Sequence, residues 1–250
     1  MKKYIIFNWK CNPETLVKAK QLFKSTTKVS FKDFEAVICP PFPYIGQLKA
    51  MGFKLKIGAQ NCFYEPRVGP FTGEVSPMIL KNMGCKYVIL GHSERKRVFN
   101  ETEETINKKL KAVLSVGVQP ILFFGELVLM TKIGAEKEII RQLEAILRGI
   151  DKKFLTRILF VYEPAFSVST QGGKLLSSEE VEEKQIFIKK HLNNKFNFKP
   201  VVLYGGSVEG NNIKNYLKET NINGVVIGQA SINLKKLERV VKALSWLRYL

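Results

Sequence analysis

The chain has 250 residues, 45% of them hydrophobic, with 18 Gly and 10 Pro. That is too apolar and too poor in chain breakers for a disordered or fibrous protein, and long enough for one domain to bury its own core. The 40 Lys+Arg against 22 Asp+Glu leave a formal charge of +18, which raises a nucleic-acid or anionic-membrane partner.

In chain order, short apolar runs rich in β-branched residues occur at 3–8, 35–39, 56–60, 86–90, 118–124, 157–162, 200–204 and 223–227. Each reads as a strand and each is followed by a segment of helical period. Ile139, Leu143, Ile146 and Leu147 recur at i, i+4, i+7, i+8, and Leu237, Val240, Val241 and Leu244 at i, i+3, i+4, i+7. Ser177 with Glu180 predicts a capping box for the helix carrying Val181, Ile188 and Leu192. Runs such as Ile158-Leu159-Phe160-Val161 are apolar on both faces, as parallel strands covered by helices should be. Eight such units predict a closed (β/α)8 TIM barrel in a single domain over 1–250, with an open doubly wound sheet as the alternative that periodicity leaves standing.

Other features narrow the class. The apolar run Tyr4-Ile5-Ile6-Phe7 is too short for a secretory core, and no stretch approaches the ~20 apolar residues of a membrane helix, so a cytoplasmic location is expected. Cys11, Cys39, Cys62 and Cys85 show no CxxC spacing and predict neither zinc nor disulfides. The charge excess is made of 32 Lys and 8 Arg, with pairs such as Lys108-Lys109 and Lys235-Lys236 scattered along the chain. Phosphate-backbone readers favour the Arg fork, so a solvated lysine surface is expected, with no nucleic acid and no membrane as partner.

Ligands of parallel α/β folds sit beyond the carboxyl ends of the strands. Those positions hold Asn8-Trp9-Lys10, Gln60-Asn61, Gly91-His92-Ser93-Glu94-Arg95, Gly125-Glu126, Glu163-Pro164, Gly205-Gly206-Ser207 and Gly228-Gln229-Ala230-Ser231. Lys10 alone would be a surface lysine and the glycine pairs alone tight turns. His92 precedes a helix start, where the positive helix end favours neutral imidazole, and His191 is expected to face solvent. Glu163 closes an apolar run and must be desolvated or paired. Glycine turns after two adjacent strands, each leading into a helix, suit a phosphate.

The segments Phe7-Asn8-Trp9-Lys10, Gly58-Ala59-Gln60-Asn61, Phe71-Thr72-Gly73-Glu74, Gly91-His92-Ser93-Glu94-Arg95, Tyr162-Glu163-Pro164, Tyr204-Gly205-Gly206-Ser207 and Gly228-Gln229-Ala230-Ser231 closely resemble the triosephosphate isomerase family over essentially the whole chain. The resemblance implies interconversion of D-glyceraldehyde 3-phosphate and dihydroxyacetone phosphate, a step of glycolysis and gluconeogenesis. Glu163 would be the base, neutral His92 the electrophile and Lys10 the fixed cation, with Asn8 orienting Lys10 and Glu94 supporting it. Asn8, Lys10 and main-chain N–H groups of Ser169, Ser207, Gly228 and Gln229 would bind the substrate and its phosphate. The family's known lid, the loop after Glu163, would close over it. The resemblance implies no metal or organic cofactor. It also implies a homodimer through the loop containing Thr72 and Gly73, which places Cys11 near the subunit interface.

The chain departs from the family pattern at Phe166, where Trp is usual, at Ser169, where Gly is usual, and in a lid lengthened by Gln171-Gly172-Gly173. Gln229 replaces a common Gly and Phe123 a frequent Cys. Altered lid closure, rather than altered chemistry, is the expectation. Three competing readings remain: a different phosphate-binding barrel such as an aldolase, a non-enzymatic anion binder exploiting the +18 charge, and a relative that keeps the fold without turnover. A Schiff-base aldolase would need a strand-end lysine where this chain has Glu126, Glu163 and Gly205.

Overall fold

The computed structural model describes residues 3–28, 34–52, 55–167 and 175–246. Eight parallel strands close on themselves in sequence order: β1 (Lys3–Asn8), β2 (Phe34–Cys39), β3 (Lys56–Ala59), β4 (Tyr87–Leu90), β5 (Gln119–Phe124), β6 (Leu159–Tyr162), β7 (Val201–Tyr204) and β8 (Gly224–Ile227). The ring is sealed by pairing of β1 with β8, from Tyr4 against Gly224 to Phe7 against Ile227. Gly224 is required there, because a Cβ would lie 2.2 Å from the Tyr4 carbonyl oxygen. The open-sheet alternative is thereby excluded.

The strands read as continuous apolar runs because both faces are buried. Ile6, Val37, Ile89, Ile121, Phe123, Leu159, Val161 and Leu203 fill the barrel interior. The intervening Ile5, Phe7, Ile38, Val88, Leu122, Phe160, Val202 and Val225 pack outward against helices. This two-faced burial is the hallmark of a parallel sheet enclosed by crossover helices.

The helices are α1 (Leu16–Thr27), α2 (Ile45–Ala50), α3 (Pro77–Asn82), α4 (Ser93–Phe99), α5 (Glu103–Ser115), α6 (Lys132–Leu147), α7 (Lys152–Leu155), α8 (Ser178–Phe196), α9 (Ile213–Lys218) and α10 (Leu234–Trp246). Five begin at a hydroxyl cap, Thr15, Ser76, Thr102, Thr131 and Ser177, and Ser177 with Glu180 forms the reciprocal capping box. The apolar stripes of α6 and α10 turn inward as their period requires, with Ile139, Leu143, Ile146, Leu237, Val240 and Leu244 inaccessible to solvent.

The structure corrects several local expectations. Strand β6 starts at Leu159 rather than 157, since the N–H groups of Arg157 and Ile158 still bond back to Phe154 and Leu155 and finish the preceding turn. Strand β3 ends before Gln60, whose side chain has other partners. His191 is not a solvent-facing residue: its side chain is 17% exposed and lies 3.8 Å from Glu144, in the groove between α8 and α6. Cys39, Cys62 and Cys85 are buried and Cys11 is exposed; all four are free. Among the described residues no helix is long and apolar enough to cross a membrane.

Candidate active site

The first βα turn fixes Lys10. Strand β1 delivers the buried Asn8, whose Oδ1 accepts the Lys10 N–H at 3.1 Å. Lys10 takes a left-handed conformation, φ 52°, at a cost of roughly 1–3 kcal/mol for a residue with a side chain. Gln60 holds it there, its Nε2 donating both to the Lys10 carbonyl at 2.8 Å and to the Cys39 carbonyl at 2.7 Å. The Lys10 Nζ then stands 2.5 Å from Glu94 Oε1. Burial works to raise the Glu94 carboxyl, but the hydrogen bond from Lys10 and the charges of Lys10 and Arg97 outweigh it and hold it below the usual carboxylate range.

His92 caps α4 with its own ring: Nδ1 accepts the Glu94 N–H at 3.2 Å. A nitrogen that accepts carries no proton, so in this arrangement the imidazole is neutral with its hydrogen on Nε2. That Nε2 lies 3.2 Å from Glu163 Oε1, while Glu163 Oε2 accepts the Ser93 N–H at 2.9 Å. Both side chains are almost fully buried. The Phe123 ring closes the floor beneath them, its centroid 5.0 Å from that of His92.

The backbone of Glu163 is equally constrained. Glu163 N–H donates to Phe124 O and Ala165 N–H to Glu126 O, both at 2.8 Å. Gly125, between those two acceptors, packs so closely that a Cβ there would lie 2.3 Å from Glu163 O. Glu126 is itself buried, Oε1 3.3 Å from the Tyr162 hydroxyl and Oε2 without a hydrogen-bond partner. Burial raises its carboxyl above the usual range, against the pull of Lys184 and Tyr162.

Opposite this group lie the glycine turns. Gly206 has no room for a side chain, because a Cβ would fall 2.2 Å from the Tyr204 hydroxyl. The Ser207 hydroxyl donates to Ser167 O at 2.7 Å, reaching from the β7 turn to the stem of the segment after Glu163. Gly228 comes close to the Lys10 side chain and precedes a short 3-10 turn at Gln229–Ser231.

One pocket therefore brings together Asn8, Lys10, His92, Glu163, Ser207, Gly228 and Gln229. Glu94 does not line it; it stands behind Lys10, in a neighbouring cleft with Cys11, Gln60 and Phe99. Ser169 and Gln171-Gly172-Gly173 fall outside the described residues. Thr72 and Gly73 sit on an exposed loop whose base is closed by Phe63 N–H donating to Val75 O and by packing of the Phe63 and Phe71 rings. Among the described residues no group of His, Cys, Asp and Glu is placed to hold a metal ion. Sequence reading gave Gln60 no role of its own; its grip on Lys10 crosses 50 residues and has no local signature.

A neutral N–H, a carboxylate and an ammonium converging on one glycine-walled pocket suit proton transfer at carbon with charge building on oxygen. The triosephosphate isomerase family model matches residues 3–244. The chain belongs to the triosephosphate isomerase family. It is 36% identical to the triosephosphate isomerase of Aquifex aeolicus over 249 residues, covering 96% of this chain and 99% of that one. It is 39% identical to that of Lactobacillus delbrueckii subsp. lactis over 234 residues, with 90% and 91% covered. With that of Dictyoglomus thermophilum the identity is 35% over 251 residues, with 97% and 99% covered. The triosephosphate isomerases and this chain are thus alike along the full barrel.

Proposed function

We propose that the protein is an isomerase that interconverts D-glyceraldehyde 3-phosphate and dihydroxyacetone phosphate through an enediolate. The observation that carries this is the single pocket shared by Glu163, His92, Lys10 and the glycine turns. Glu163 takes the proton from C1 of dihydroxyacetone phosphate, and the C–H electron pair becomes the C1–C2 double bond while the carbonyl oxygen gains negative charge. The His92 Nε2–H and the Lys10 ammonium face that oxygen, stabilising charge that is absent from the ground state. His92 passes its proton to this oxygen and takes one from the C1 hydroxyl. Glu163 then returns its proton to C2, leaving the aldehyde at C1. The redox change is internal, so the step balances without an external oxidant.

The Glu163 carboxylate rests on Ser93 N–H and His92, so substrate must draw it off these donors. The N–H groups of Ser207, Gly228 and Gln229 receive the phosphate, as do those of the segment containing Ser169. A homodimer fits the same geometry. The loop carrying Thr72 exposes Tyr64, Val68 and Phe71, and α4 exposes Val98 and Phe99 beside the cleft that holds Lys10 and Cys11. We place the enzyme in the cytoplasm.

Turnover of D-glyceraldehyde 3-phosphate in a coupled assay tests the reading. Glu163→Asp shortens the base's arm by one carbon, and kcat should fall about 100-fold or more, because roughly 1 Å of misplacement costs that much. A near-normal rate would remove Glu163 from the mechanism. Sedimentation at micromolar concentration should find a dimer that Phe99→Glu dissociates.

A further inference from the structure

We infer that Gln142, on α6, is a positioning residue that sets the helix carrying the electrophile in register with the strand end carrying the base. This rests on the roles of Glu163 and His92 proposed above. Gln142 is 2% exposed and touches none of the reacting groups. Its amide instead joins the three segments that present them.

The first is the turn after β5. Gly125 N–H donates to Gln142 Oε1 at 3.2 Å and Gln142 Nε2 donates to Gly125 O at 2.9 Å, so the side chain pairs with this residue as a neighbouring strand would. The second segment is the end of β6. Gly125 lies against the Glu163 backbone, and its neighbours Phe124 and Glu126 accept the N–H groups of Glu163 and Ala165. The backbone of the base is therefore held by a turn that Gln142 holds. The third is α4. Lys96 Nζ donates to the same Gln142 Oε1 at 2.9 Å, and α4 begins with the His92 cap and the Ser93 N–H that docks the Glu163 carboxylate.

The amide is fixed in its turn by Glu138, one helical turn earlier, whose Oε1 accepts from Gln142 Nε2 at 2.7 Å while Arg141 holds both its oxygens. Buried amides with every site satisfied rigidify their surroundings, and one left half-satisfied costs more than an apolar residue. The Lys96 side chain is only 7% exposed, and its ammonium lies 3.9 Å from Glu103. Burial lowers its tendency to hold a proton, against the pull of Glu103, Glu163 and Glu138. The ammonium thus relies on the amide oxygen for a hydrogen bond that Glu103 does not supply.

A positioning role predicts loss of turnover without loss of substrate affinity. Gln142→Met keeps length and volume and removes every hydrogen bond. It should lower kcat about 10- to 100-fold and leave KM within about threefold, as expected when reacting groups shift by a fraction of an ångström to an ångström. Lys96→Met should lower kcat in the same direction and Lys96→Arg, which keeps a donor to Oε1, should restore most of it. Thermal unfolding of each variant reports whether the measured protein is folded. If Gln142→Met does not fold, the Lys96 pair decides alone. A folded Gln142→Met with kcat within twofold of the parent, or a Lys96→Met kcat equal to that of Lys96→Arg, overturns the proposal. In either case a crippled Glu163→Asp leaves the isomerase reading intact. A fully active Glu163→Asp overturns both.

Discussion

Gly125→Ala gives the sharpest test of how Glu163 is seated. Gly125 has φ 145°, a region L residues rarely adopt, and its added Cβ would meet Glu163 O at 2.3 Å and Glu163 C at 2.7 Å. Ordinary contact begins near 3.4 Å, so the β5 turn and the end of β6 must part by about 1 Å. Backbone strain of roughly 1–3 kcal/mol and overpacking of roughly 1–3 kcal/mol put the stability loss near 3 kcal/mol. A domain stable by roughly 5–15 kcal/mol survives that, so the variant can be assayed folded. With Glu163 as the proposed base, a displacement of about 1 Å there should lower kcat about 100-fold. The control is Gly52→Ala, also at positive φ, 73°, but with nothing within 4 Å of the new Cβ. It should lose about 1 kcal/mol in urea unfolding and no activity. If Gly125→Ala keeps kcat within threefold of the parent, the contact does not seat Glu163 and the reasoning fails.

Two further outcomes follow from the electrostatics. Burial raises the Glu126 carboxyl, so the folded chain holds that proton more tightly than the unfolded one. Stability contributed by Glu126 is then fully present below the unfolded carboxyl value near 4.5 and lost as pH rises through the higher folded one. Glu126→Gln should therefore gain stability relative to the parent between pH 5 and pH 8; parallel urea curves at the two pH values would refute this. The +18 charge should attract a dianionic substrate, and screening shortens its reach from ~30 Å at 0.01 M salt to ~8 Å at 0.15 M. Stopped-flow measurement should find kcat/KM falling several-fold over that range with kcat unchanged, and a flat dependence would leave the lysine excess without a part in encounter.

The barrel was legible because its signals are local and repeated. Eight apolar runs separated by segments of helical period define the units, and two-faced burial of each strand follows from helices on one side and the barrel interior on the other. Closure is different in kind. It depends on Tyr4 meeting Gly224 across 220 residues, a pairing no window of sequence contains. Strand ends were blurred for the opposite reason, since Ile158 is as apolar as its strand neighbours and only the bond from its N–H to Leu155 O keeps it in the turn. His191 was misplaced because a lysine-rich stretch reads as a solvent face, yet its position on α8 turns it toward Glu144 on α6.

In the site, sequence order found the groups that the structure gathers in one pocket, because strand ends in a parallel barrel share one face. What holds those groups in place was less visible. Gln60 and Gln142 act through side-chain amides that bridge separate turns, and an amide carries no charge to draw the eye. Gln142 did leave one trace: with Ile139, Leu143 and Ile146 it falls on the apolar stripe of α6, where a polar residue must find partners or destabilise the helix. A polar residue interrupting a buried stripe is thus a sequence-level pointer to a bridging role, and here its partners Gly125 and Lys96 lead to the segments that carry Glu163 and His92. The division has a physical origin. Groups that react must reach the pocket, which topology confines to one end of the barrel, whereas groups that position them need only reach a backbone turn and can come from any helix that passes it.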